Sequence, residues 1–158
     1  IPSGNTPMNE PVIDDFELPA TGNTVFRLSA QRGKNVVVFF YPKDNTPGCT
    51  LENQEFRDLH EDFLQTGTVV VGVSRDSLKS HEGFKAKHGF PFDLLSDTDE
   101  TVCQRFGVMK LKNMYGKQVR GIERSTFVFD KDGKLVKNWR GLRAPGHAAE
   151  VLAFVRTL

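Results

Sequence analysis

Two stretches, Asn35 to Tyr41 (NVVVFFY) and Thr68 to Ser74 (TVVVGVS), are nearly unbroken runs of β-branched and aromatic residues. A strand with one wet face alternates apolar and polar side chains, whereas a run that is apolar throughout must be covered on both faces. The runs therefore predict central strands of a sheet sandwiched between other layers. The segments after each run fit that reading. Thr50 to Leu64 places Phe56, Leu59, Phe63 and Leu64 on one helical stripe and turns Glu52, Arg57, Asp58 and Glu61 toward water. Ser77 to His88 reads as a helix with a Ser start and Gly89 as its stop.

A short strand around Phe92 to Leu95 leads to Asp97, the predicted N-cap of a helix that ends near Phe106. Ser125 to Asp130 and Lys134 to Trp139 flank the turn Lys131-Asp132-Gly133 and predict an antiparallel hairpin, and a last helix runs from about His147 to Leu158. The order β-α-β-α-β-α-β-β-α predicts an α/β chain of thioredoxin-like fold, with a central mixed β-sheet flanked by helices on both faces. Val108 to Ile122 is polar, Lys-rich and without period, an excursion in which Lys110, Lys112 and Lys117 are expected in solvent. No repeat or linker divides the 158 residues. We expect one domain over residues 8–158, preceded in residues 1–7 by an expression scar or disordered leader.

Lys plus Arg (21) and Asp plus Glu (20) nearly cancel, leaving a formal net charge of +1. No global field gathers nucleic acid or anionic lipid, so neither is expected as a partner. The apolar run Val36 to Phe40 is far too short to span a bilayer. A cytoplasmic location follows as an expectation. His60, His81, His88 and His147 lack metal-ligand spacing and read as surface or cap residues, so no metal is expected.

Two cysteines, Cys49 and Cys103, are far apart in sequence and make neither a disulfide framework nor a zinc pattern. Cys49 stands in Tyr41-Pro42-Lys43-Asp44-Asn45-Thr46-Pro47-Gly48-Cys49-Thr50, between the first buried strand and its helix. Unpaired amides and the positive end of the helix dipole favour an anion there, which for cysteine is the nucleophilic thiolate. A tenfold gain in thiolate population needs about 1.4 kcal/mol. The helix end supplies about 0.3 to 2 kcal/mol, so a fixed cation is needed as well. Arg124, in Gly121-Ile122-Glu123-Arg124-Ser125-Thr126-Phe127 at the entry to a predicted strand, is the candidate. The Thr46 hydroxyl can accept from a peroxide or donate to the thiolate, or cap the helix; Pro42 and Pro47 stiffen the loop, and Gly48 permits close approach.

Pro42-x-x-x-Thr46-x-x-Cys49 matches the active-site motif of the peroxiredoxins, and the two longer segments resemble the bacterioferritin comigratory, or Q-type, subgroup. The resemblance runs from about Val12 to Leu158. It implies a thioredoxin fold, hydrogen peroxide and organic hydroperoxides as substrates, a sulfenic acid intermediate, no cofactor and a monomer. By position it implies Cys49 as peroxidatic cysteine, Thr46 and Arg124 as groups that polarise the peroxide, and Pro42 as a shield of the thiolate. Glu52 either orients Arg124 or complements the helix dipole.

Members of the subgroup carry a resolving cysteine where this chain has Gln54, or on the next helix in the stretch that resembles Ser80 to Lys85; neither place holds one here. Cys103 shares a helix face with Val102 and Phe106 and reads as a small core residue, with a resolving role as the alternative. A one-cysteine cycle is expected, in which thioredoxin, glutaredoxin or glutathione serves as external thiol reductant. A Cys-x-x-Cys reductase is excluded because Glu52 occupies the second position. A non-enzymatic peroxide sensor remains a competing reading.

Overall fold

A computed structural model describes residues 15–158. The expected leader at residues 1–7 lies outside the described residues. The elements are β1 (Glu17–Ala20), β2 (Thr24–Arg27), β3 (Asn35–Phe40), α1 (Pro47–Asp58), α2 (His60–Gln65), β4 (Thr68–Ser74), α3 (Leu78–His88), β5 (Asp93–Ser96), α4 (Thr101–Arg105), β6 (Met109–Met114), β7 (Lys117–Ile122), β8 (Ser125–Phe129), β9 (Leu135–Arg140) and α5 (His147–Val155). Seven strands form one sheet in the order β2-β1-β5-β4-β3-β8-β9. β3, β4 and β5 run parallel, and the flanking pairs are antiparallel.

The two apolar runs are the centre of this sheet. Val36, Val38 and Phe40 point to one core with Phe106, Phe127 and Phe129, while Val37, Phe39 and Tyr41 point to the other with Phe56, Phe63, Phe84 and Val151. Helices lie on both faces, unequally: α1, α2, α3 and α5 contribute to the second core, and α4 to the first. Each fully buried Phe adds about 1.5–3 kcal/mol of transfer free energy, so the ring stacked on Phe39 at 4.5 Å, Phe56 of α1, anchors the helix that follows β3. Gly72 interrupts the second run because a Cβ there would stand 2.7 Å from Phe39 Cζ.

The thioredoxin-like, mixed-sheet architecture is as the sequence predicts, and α3 has Ser77 as N-cap and Gly89 as left-handed C-cap. Several elements differ. The hairpin β1–β2 is additional to the predicted elements: its strands are four residues each, too short for a periodic signal. The single helix expected over residues 50–64 is two, starting at Pro47 and broken at Leu59, which leaves Leu64 half exposed. The helix after Asp97 begins only at Thr101; the Asp97 carboxylate nevertheless caps it, accepting from the amides of Val102 (3.3 Å) and Cys103 (2.7 Å). The excursion is an antiparallel ribbon, β6–β7, closed by Tyr115 and Gly116, both at positive φ. Its Lys112 is half-buried and donates to the Ile122 carbonyl at 2.6 Å. His81 and His147 are buried rather than on the surface, because each ring has polar partners inside the fold.

Candidate functional site

β3 delivers the chain to the carboxyl end of the parallel strands at Phe40, and Tyr41 to Thr46 turn it into α1. Thr46 is the N-cap residue in extended conformation, Pro47 occupies the first helical position where a missing N–H costs nothing, and Cys49 is the third residue of the helix. The helix therefore opens with amides at Gly48 and Cys49 that have no acceptor within it. Cys49 is 2 % exposed.

Arg124 arrives from far along the sequence by strand register. β8 pairs antiparallel with β3, setting Ser125 against Phe40, so the residue just before β8 meets the chain just after β3. The Arg124 carbonyl accepts from the Leu142 amide, which pins the backbone. Its guanidinium forks: Nη1 donates to Glu52 Oε1 at 2.6 Å and Nη2 to Cys49 Sγ at 3.5 Å. A Cβ on Gly48 would lie 3.1 Å from that same Nη2, so the glycine gives the guanidinium room.

Glu52 corrects the expected solvent-facing position. It is fully buried one turn beyond Cys49 and is ion-paired with Arg124. Burial pushes its carboxyl up to about 7, although the adjacent Arg124 charge and hydrogen bond oppose that rise. Its second oxygen, Oε2, has no hydrogen-bond partner among the described residues. Thr46 also differs from one expectation: its side chain makes no cap bond and donates to the Lys43 carbonyl at 2.8 Å. With its proton committed, the hydroxyl offers lone pairs to an incoming donor. Pro42 is half-buried in the same loop.

Cys103 is a free thiol like Cys49, but it sits across the sheet. Cys49 belongs to the core that contains Val37 and Phe39, and Cys103 to the one that contains Val38 and Phe40. Successive residues of β3 face opposite ways, so the sheet itself separates the two sulfurs. Burial, helped by the Asp97 carboxylate, pushes the Cys103 thiol far up. Such a shift disfavours the thiolate form.

Sequence reasoning missed Asp44, Asp76 and His81, whose ligand-type atoms lie within 4.8 Å of one another under the loop. These side chains are held by hydrogen bonds to one another and to their neighbours. Asp76 Oδ2 accepts from the Asp44 amide at 2.9 Å and from Ser74 Oγ at 2.5 Å, and the Asp44 carboxylate accepts from Tyr41, Ser80 and His81. The signal available was Asp44 within the active loop motif. Nothing in the spacing pointed to His81.

The AhpC/TSA family model matches residues 10–138. Peroxiredoxin Bcp of Xanthomonas campestris is 51 % identical over 142 residues, covering 90 % of this chain and 89 % of its own. Peroxiredoxin Bcp of Bacillus subtilis is 46 % identical, covering 91 % and 92 %. The structure of peroxiredoxin Q from Xanthomonas campestris superposes with a TM-score of 0.86 at 50 % identity over 90 % of each chain. A mutant of PrxQ from Xylella fastidiosa does so at 0.88 and 42 % identity over 98 % of each. With an arginine held beside a cysteine at the start of α1, and agreement with these relatives across almost the whole length, the chain belongs to the AhpC/TSA family as a Q-type peroxiredoxin, a thiol-dependent peroxidase.

Proposed function

We propose that Cys49 is the residue that attacks the hydroperoxide, and that it is regenerated in a one-cysteine cycle by an external thiol. The observation that carries this is the Arg124 fork, with one nitrogen held by buried Glu52 and the other 3.5 Å from Cys49 Sγ. A cation fixed in this way stabilises the thiolate before reaction and the departing oxygen during it. The thiolate attacks the terminal oxygen of R–O–O–H; the S–O bond forms as O–O breaks, sulfur becomes a sulfenic acid, and the released RO⁻ takes a proton to become water or an alcohol. Arg124 and the amides of Gly48 and Cys49 face the developing negative charge, and the Thr46 hydroxyl is available to accept from the peroxide O–H. Pro42 in the loop limits access of water to the sulfur.

An external thiol then attacks the sulfenic acid, releasing water and leaving a mixed disulfide; a second thiol frees Cys49 and departs as the disulfide. Resolution by Cys103 is disfavoured because the central sheet lies between the sulfurs. Alkyl hydroperoxides are proposed as substrates beside hydrogen peroxide, supported by the alkyl peroxide reduction activity described for the bacterioferritin comigratory protein of Xanthomonas campestris, which is 49 % identical. Thioredoxin, glutaredoxin and glutathione are the candidate reductants. The test is intact mass spectrometry after one equivalent of hydrogen peroxide with a sulfenate trap present. One adduct on the wild type and none on Cys49→Ser is expected, while an adduct that persists in Cys49→Ser would overturn the assignment.

A further inference from the structure

The site rests on a buried hydrogen-bond network that the reaction itself does not use. Asp44 lies in the loop between β3 and α1, two residues before the N-cap Thr46. Its side chain is 1 % exposed and that of His81, on α3, is 0 % exposed. Asp44 Oδ1 accepts from Tyr41 Oη at 2.6 Å, and Oδ2 accepts from Ser80 Oγ and stands against His81 Nδ1, both at 2.8 Å. The other ring nitrogen, Nε2, is 2.9 Å from the Leu95 carbonyl of β5.

A carbonyl only accepts, so Nε2 carries a proton, and a second proton lies between Nδ1 and the carboxylate. Burial works to raise the Asp44 carboxyl, but the His81, Tyr41 and Ser80 hydrogen bonds outweigh it and hold the carboxyl below its usual range. The Nδ1–carboxylate hydrogen bond is thus enclosed by protein on both sides. A buried polar pair contributes little net stability compared with apolar side chains of equal volume, so its use here points to geometry. What it fixes is a short loop. Asn45, next to Asp44, is held at φ +64, an uncommon conformation for a residue with a side chain, and the Asp44 amide is tied to Asp76 beyond β4. Three separate parts of the fold, α3, β5 and the end of β4, thus converge on the segment that presents Thr46 and Cys49.

We propose that His81 and Asp44 are positioning residues for the peroxidase reaction: the pair locks the loop from beneath, so that the Thr46 hydroxyl and the first amides of α1 keep the arrangement a peroxide needs. The inference rests on Cys49 as the attacking residue. Its experiment compares two single-turnover rates on the same protein, Cys49 with hydrogen peroxide and Cys49 with iodoacetamide. Alkylation needs only an accessible thiolate, whereas peroxide reduction also needs the aligned loop. In Asp44→Asn and His81→Asn, the peroxide rate is expected to fall about 10- to 100-fold while alkylation changes little.

Ser80→Ala removes one half-buried donor to Asp44 and serves where the other variants do not fold; its ratio of peroxide to alkylation rate is expected to fall about threefold. An unchanged ratio in folded variants, or two rates that fall together, overturns the positioning role. Failure of the underlying reading is separable, because wild-type Cys49 would then show no preference for peroxide over iodoacetamide.

Discussion

Replacing Glu52 by Gln tests the electrostatics of the site through stability alone. Glu52 is fully buried and its carboxyl is pushed up to about 7 from an ordinary 4.5. Between these two values the folded protein binds a proton there that the unfolded chain has released, so stability contributed by this group is present below pH 4.5 and is lost as pH rises to about 7. Every tenfold difference in proton affinity between the folded and unfolded chain is worth about 1.4 kcal/mol, so the loss amounts to about 3 kcal/mol. His60 and His147, both lowered by burial, act in the opposite direction, since their contribution is lost as pH falls below 6.5 through their folded values. Comparing wild type with Glu52→Gln cancels them. Glu100, held near 2 by Arg120 and Arg75, titrates below the window.

The assay is urea unfolding at intervals from pH 4.5 to 8. The free-energy difference between Glu52→Gln and wild type should move by about 3 kcal/mol in favour of the variant across that range, with most of the change complete by about pH 7. Parallel curves would mean that Glu52 remains ionised throughout, with Arg124 compensating it fully, and would refute the argument. The absolute offset between the curves is a separate matter, because Gln leaves Arg124 without its ionic partner.

Three further outcomes are expected from the packing. Gly48→Ala places a methyl 3.1 Å from Arg124 Nη2 and is expected to lower the rate of Cys49 oxidation by peroxide about 10- to 100-fold with little change in melting temperature, read by stopped-flow kinetics. Cys103→Ala should keep turnover with an external thiol, whereas a wild-type product lighter by two hydrogens with an intact fold would show that the sulfurs meet. Gly72→Ala drives a methyl to 2.7 Å from Phe39 Cζ and 3.0 Å from Leu94 Cδ2, so overpacking should cost about 1–3 kcal/mol in urea unfolding, and an unchanged midpoint would contradict the rigid contact.

Local chemistry made much of this protein legible in advance. The runs at residues 35–41 and 68–74 carry their burial on both faces in their composition, and Ser77 and Gly89 mark the ends of α3 by side-chain and backbone chemistry that needs no tertiary context. Cys49 could be read in the same way: a cysteine after Thr-Pro-Gly, where a buried strand gives way to a helix, stands at an anion site by secondary structure alone. The need for a fixed cation at a strand entry marked Arg124 as a candidate, and resemblance marked Glu52.

What the sequence did not contain was the sheet's order and register. The pairing of Ser125 with Phe40 brings Arg124 beside Cys49 and Glu52, and Glu52 is buried although its place on a helical wheel looked wet. His81 was unreadable because its partners, Asp44 and the Leu95 carbonyl, come from another loop and another strand. The separation of Cys49 from Cys103 was likewise decided by the alternation of β3 side chains between two cores. Single elements follow from short-range preferences written residue by residue. Which charged groups meet depends on long-range strand pairing, and there only the folded sheet supplies the distances.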